Sequence, residues 1–271
     1  MKKHIEINEK TTLYNGKSEE VIPTLDDNSI DLVITSPPYN VDLGNNKHNK
    51  NPYDLYNDNL EHSKYIEWLR DDIFGPIIPK LKSGARVCIN IGDPKNGRVP
   101  THSDIIQFMT QELGLLPMTS IIWRKHQVGS RTAWGSFKSP SCPSFPTPFE
   151  HIMVFSKDNV KLQEAGETDI TAEEFKKWAF AEWDILPETR MKKIGHPAMM
   201  PLGIPRRLIK MLSWTNATVL DPFNGAGTTG VACNELGRGY IGIELSKAYC
   251  DITKDRIDSL RPATELDMFS T

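Results

Sequence analysis

Two groups of residues carry chemistry by their types and spacing. The first is Ser36, Pro37, Pro38 and Tyr39, in "TSPPYN", directly after the apolar run "IDLVI" at 30–34. A proline pair has fixed φ angles and no N–H to donate, so it ends sheet pairing abruptly and leaves a stiff platform. In open α/β sheets such strand ends line the ligand crevice, where Tyr39 would be offered to something flat. The second group lies in "TVLDPFNGAGTTGVACNELGRGYIGIELS". There a strand runs into Gly225, Gly227 and Gly230, spaced as G-x-G-x-x-G, followed by a helix and a second strand ending at Glu244. Such glycines let the backbone approach a ligand closely, and the terminal carboxylate can accept hydrogen bonds from both hydroxyls of a ribose. Taken singly, each group has a plainer reading, as a strand-ending turn or as a close helix–strand contact. Together they favour ligand chemistry.

The elements that must position these residues are legible as apolar runs. Strands are expected at 30–34, 85–91 ("ARVCINI"), 119–123 ("TSIIW"), 151–156 ("HIMVFS"), 217–221 ("ATVLD") and 239–244 ("GYIGIE"). Between them "HSKYIEWLRDDIFGPIIPKL" places Tyr65, Ile66, Leu69 and Ile73 along one helical face, and "PRRLIKMLS" repeats the pattern before Ser213. Alternating strands and helices predict an α/β fold with a Rossmann-like, doubly wound, mainly parallel sheet. The glycine-loop unit normally opens such a sheet, yet only a short tail follows Glu244. The order is therefore circularly permuted, with "IDLVI" beside "TVLD" and both chemical groups at one carboxyl edge.

The chain of 271 residues, with 38% hydrophobic and 25% charged residues, has the balance of a soluble globular protein and length for one large domain over 1–271. No stretch approaches the ~20 apolar residues of a membrane span, and "MKKHIEINEK" lacks a signal-peptide core, so a cytoplasmic location is expected. Cys88, Cys142, Cys233 and Cys250 form no C-x-x-C pair, so neither a zinc site nor a disulfide framework is expected. A net charge of −3 neither demands nor excludes a nucleic acid, which depends on a local basic face. Residues 40–60 and 126–148 read as long polar loops, and 157–190, with "TAEEFKKWAFAEW", as a small inserted unit.

The sequence resembles the DNA amino-methyltransferases, which use S-adenosylmethionine to methylate an exocyclic amine of cytosine or adenine. "TSPPY" looks like their catalytic motif, "DPFNGAGTTG" like their cofactor loop, and "HPAMMPLGIPRRLIKMLS" like the segment before that loop. The catalytic motif first and the cofactor motif last is the arrangement of their beta group. The resemblance implies that Ser36, Pro37, Pro38 and Tyr39 are catalytic. It implies that Asp221, Phe223, Gly225, Ala226, Gly227 and Thr228 surround the cofactor, that Glu244 takes its ribose, and that His196, with Pro197, lies near its amino-acid end. Lys17, in "NGKSEE", stands where many relatives have an acid. No metal is implied, because the sulfonium supplies the electrophile. A cognate restriction endonuclease acting separately is the protein partner the resemblance allows; the chain itself carries no sign of one, nor of its oligomeric state.

The implied chemistry suits these residues. An exocyclic amine has its lone pair delocalised into the ring, and hydrogen bonds from it to the Ser36 hydroxyl and the Pro37 carbonyl would favour the localised pair. The target lies inside double-stranded DNA and must be flipped out, where Tyr39 can stack on it. "SPPY" goes mostly with cytosine N4 in this family and "DPPY" with adenine N6, so N4 is expected and N6 is the alternative. Attack at C5 would need a cysteine after a proline, and Cys142–Pro143 has the reverse order. Arg124, Lys125, Arg131 and Lys138, interleaved with Trp134 and Phe137, are candidate DNA contacts, joined by Lys47 and Lys50. The loops 126–148 and 157–190 are candidate DNA-recognition insertions. A nicotinamide-dependent oxidoreductase would use the same glycine loop and Glu244, but it leaves "SPPY" and the permuted order unexplained. A non-catalytic DNA-binding module is disfavoured by the intact Ser36–Tyr39 and Asp221–Gly227 runs.

Overall fold

Each apolar run marked in the sequence forms a strand in the computed structural model, which describes residues 3–41, 59–125, 135–189, 194–195 and 199–260. The strands are β1 (Lys3–Asn8), β2 (Thr11–Asn15), β3 (Ile30–Thr35), β4 (Leu81–Ile91), β5 (Leu116–Arg124), β6 (Phe149–Ser156), β7 (Glu182–Asp184), β8 (Thr218–Asp221) and β9 (Gly239–Glu244). They make one sheet in the order β1-β2-β9-β8-β3-β4-β6-β5-β7. β1 runs antiparallel to β2, and β6 antiparallel to both β4 and β5; the other neighbours are parallel. The last two strands of the chain are thus inserted between β2 and β3, with Leu32 opposite Val219 as the permuted order requires. β1, β2 and β7 were not expected from the sequence.

The central strands are buried on both faces, which is why they read as unbroken apolar runs. Their period of two divides the core. Val33, Val87, Ile89, Leu220 and Ile243 pack on one side with Tyr65, Leu69, Ile73 and Phe108 of the helical segments between 62 and 112. Leu32, Ile34, Cys88, Val219 and Tyr240 pack on the other with Ile204, Leu208 and Ile209 of the helix Gly203–Leu212 and Ala232 of the helix Thr228–Glu235. Helices on both faces of a mainly parallel sheet make the fold Rossmann-like and doubly wound. No helix among the described residues is long and apolar enough to cross a membrane.

Candidate active site

The two chemical groups meet where β3 and β8 lie side by side. Thr35, the last residue of β3, donates from Oγ1 to Asp221 Oδ1 at 2.8 Å. The Phe223 N–H reaches the same oxygen at 3.1 Å, and Thr229 Oγ1 donates to Oδ2 at 2.8 Å. Asp221 is buried, which pushes its carboxyl up to about 6 against the three donors that oppose the rise. Both its oxygens are taken by protein donors. Asp221 is thus a tie between the turn after β3, the glycine loop and the helix that follows.

The glycine loop is shaped by close approach. Gly227 has φ 74°, and a Cβ there would lie 2.4 Å from Thr253 Cγ2; one on Gly230 would lie 2.7 Å from the Tyr240 ring. Ala226 and Thr228 are buried, and Arg256 holds the loop from behind by donating to the Ala226 carbonyl and, at 3.3 Å, to Thr228 Oγ1. At the end of β9 the Glu244 carboxylate accepts from Gly225 N–H at 2.7 Å and Ser246 N–H at 2.8 Å. Burial outweighs these bonds and pushes its carboxyl up to about 7. A carboxylate offers about four acceptor sites, so Glu244 keeps capacity for a hydroxyl donor. Phe223 is half-buried, its ring centroid 5.6 Å from that of Trp68 on the helix His62–Trp68, a neighbour no motif pointed to. The segment "NGKSEE" closes the same edge: Asn15 Nδ2 donates to the Glu244 and Leu245 carbonyls, and Ser18 Oγ to the Pro222 carbonyl at 2.5 Å. Lys17 is exposed beside them.

In the Ser36–Tyr39 turn Pro37 is buried while Ser36, Pro38 and Tyr39 are half-buried. Tyr65 Oη donates to the Pro38 carbonyl at 2.6 Å and fixes the turn from the helix side. Tyr39 Oη donates to Glu150 Oε2 at 2.7 Å, and Asn90 Nδ2 donates to both of those atoms at 2.7 Å. Neither Asn90 nor Glu150 was singled out in the sequence. The usable signal was Asn90, a polar residue in the apolar stretch "VCINI" at the carboxyl end of β4.

Of the four expected DNA contacts, Arg124 pairs with Glu182 at 2.6 Å on the sheet edge, and the Lys125 ammonium pairs with Glu150 and sits 5.2 Å above the Trp123 ring. Lys138 is exposed, over Phe137. Arg131, together with Lys47, Lys50, Trp134, His196 and Pro197, lies outside the described residues. The loop after β5 leaves from the catalytic edge and returns there at β6. The 157–189 segment instead starts at the opposite edge, where Lys161 O crowds Gly84 and Trp214 Nε1 donates to the Glu164 carbonyl. It crosses the face as the helix Ala172–Trp178 and reaches the catalytic edge at the end of β7.

Asp93, His102 and His151 bring three potential metal-ligand atoms within 4.8 Å of one another. The two imidazoles are stacked at 3.8 Å and 8°, so their in-plane lone pairs run parallel and do not converge on one ion. His102 Nδ1 and Asp93 are hydrogen-bonded at 2.6 Å, and burial and the neighbouring ring hold His151 below the usual histidine range. The cluster is a tie between β4 and β6.

Comparison with known proteins accords with this geometry. A family model described as DNA methylase, of the N6/N4 methyltransferase type, matches residues 30–255. The Type II methyltransferase M.MjaI of Methanocaldococcus jannaschii is 30% identical over 86% of this chain and 86% of its own length. M.MjaVI of the same organism is 36% identical over 61% of this chain and 81% of its own. A solved structure from Thermus thermophilus, described as a DNA modification methylase complexed with S-adenosyl-L-methionine, is 28% identical. It covers 93% of this chain and 95% of that one with a TM-score of 0.71. The family match takes in both the Ser36–Tyr39 turn and the loop from Asp221 to Glu244, and this chain belongs to the N6/N4-type DNA methylases.

Proposed function

We propose that this chain transfers a methyl group from S-adenosylmethionine to N4 of a flipped cytosine in double-stranded DNA. The observation that carries the reading is the Thr35–Asp221 bond, which joins the "SPPY" turn to the "DPFNGAG" loop and puts both on one edge of the sheet. The donor set fits the cofactor: Glu244 retains acceptor capacity at a strand end, beside the half-buried Phe223 ring and the loop from Gly225 to Thr228. When bound, S-adenosylmethionine supplies an electrophilic methyl group on its sulfonium. Ser36 Oγ and the Pro37 carbonyl accept from the two amine N–H bonds and localise the nitrogen lone pair. Tyr39 stacks on the extruded base, a contact worth roughly 1–3 kcal/mol. The proton released by the methylated amine needs no strongly basic side chain, because that nitrogen has become acidic. The basic loop 126–148 is the DNA-recognition element that the catalytic edge favours, with Lys138 on its exposed part; the 157–190 segment contributes through its last residues. The domain is single, and it acts independently of any companion endonuclease.

The test is label transfer. Duplex DNA incubated with methyl-labelled S-adenosylmethionine should acquire label with the wild type, and Phe223→Ala and Glu244→Ala should weaken cofactor binding in calorimetry. Unlabelled DNA together with tight binding of NADH would overturn the reading in favour of an oxidoreductase. Unchanged cofactor affinity in both variants would remove the pocket assignment.

A further inference from the structure

Beside the catalytic turn lies a polar chain with a fixed direction. Ser36 Oγ donates to Tyr39 Oη at 3.1 Å, and Tyr39 Oη donates to Glu150 Oε2 at 2.7 Å. Asn90 Nδ2 donates to Tyr39 Oη and to Glu150 Oε2, both at 2.7 Å. The other carboxylate oxygen, Glu150 Oε1, is paired with the Lys125 ammonium, which gives the 7%-exposed side chain its counter-ion. These groups come from four places in the chain: the turn after β3, the end of β4, the residue after β5 and the second residue of β6. Gly92 makes room for them, since a Cβ there would lie 3.3 Å from both Glu150 Cγ and Tyr39 Cε2.

We propose that Glu150 is a positioning residue for methyl transfer, acting through Tyr39 to set which way the Ser36 hydroxyl points. The inference rests on the methyltransferase reading of the site. A carboxylate only accepts, so the single Tyr39 proton is drawn to Glu150. The Tyr39 oxygen is then left as an acceptor, and the Ser36 proton turns toward it. Ser36 thereby presents lone pairs to the crevice, which is the polarity needed to accept from an amine N–H. Without the carboxylate, the serine hydroxyl is a free rotor that can equally well point its proton at the base. The same bond holds the tilt of the Tyr39 ring, on which the base stacks.

Glu150→Gln tests this with little change of shape. Lys125 holds the amide oxygen toward itself, so the amide NH2 faces Tyr39 and donates, and the chain reverses. At saturating DNA and cofactor, single-turnover transfer by the folded variant should fall about tenfold or more, with cofactor affinity unchanged. Tyr39→Phe should also slow transfer, and adding Glu150→Gln to it should cost nothing further, because the Glu150 effect travels through the Tyr39 hydroxyl. Lys125→Met added to Glu150→Gln frees the amide to turn its oxygen to Tyr39 and Asn90, and should recover part of the rate. Wild-type transfer with a fully active Glu150→Gln would overturn the inference, as would losses that multiply in the Tyr39→Phe background. A wild type that binds cofactor but transfers no methyl to DNA would instead overturn the functional reading beneath it.

Discussion

Glu244 shows how one half-buried carboxylate would link the proposed pocket to pH. Its folded value of about 7 lies above the ordinary 4.5, so between these values the folded protein holds more protons than the unfolded chain. The contribution to stability is full below about 4.5 and is lost as pH rises through 7. Asp221, raised from 3.8 to about 6, adds a loss of the same sign at lower pH. With Glu244 taking the ribose as proposed, its hydroxyls would donate to the charged form, so cofactor affinity should run the other way and rise with pH through 7. Below that value the rise should be up to about tenfold per pH unit. Calorimetry at pH 6 and pH 8 should show this gain in the wild type relative to Glu244→Gln; equal pH dependence in the two proteins would show that Glu244 does not hold the ribose. At this scale the sequence told which acid ends β9 and which hydroxyl precedes the proline pair. It was silent on Glu150, a lone carboxylate whose place beside Tyr39 depends on the antiparallel register of β4 and β6, with Ile91 opposite His151. It was also silent on Lys125 being drawn inward, since an ammonium's partner cannot be read from neighbouring residues.

At the scale of elements, the glycine spacing reports packing as much as ligand approach. Gly230 lies in the helix Thr228–Glu235 against Tyr240 of β9, and Tyr240 Oη donates to the buried Asn224 at 2.8 Å within the glycine loop. Tyr240 is fully buried and tethered at its tip, so it cannot step aside for a methyl group. Gly230→Ala should therefore cost about 1–3 kcal/mol, the range for overpacking. In thermal unfolding that is a drop of several degrees. An unchanged melting temperature would show that the helix can ride up off the sheet without cost. Most of the six central and flanking strands were legible because burial writes apolar runs; β5, with only Ile121 and Trp123 buried, was marked by the short run "TSIIW". β1 ("KHIEIN") and β2 ("TTLYN") are interrupted by polar residues at the sheet edge, and β7 has three residues with only Trp183 buried, so none leaves an unbroken apolar run to mark.

For the whole molecule, the permuted chain order predicted that "IDLVI" stands beside "TVLD", and β3 does pair with β8. What the order could not convey is the edge of the sheet from which each insertion departs. Both 126–148 and 157–190 look alike as polar excursions, but the strand directions send the first out at the catalytic edge and start the second at the opposite one. The proposed reaction is defined by the identity of the methylated atom. Nucleoside mass spectrometry of duplex DNA, methylated in vitro with isotopically labelled S-adenosylmethionine, should detect labelled N4-methylcytosine with the wild type and none with Ser36→Ala. Labelled N6-methyladenine without N4-methylcytosine would contradict the cytosine assignment, and undiminished labelling by Ser36→Ala would contradict the catalytic turn itself.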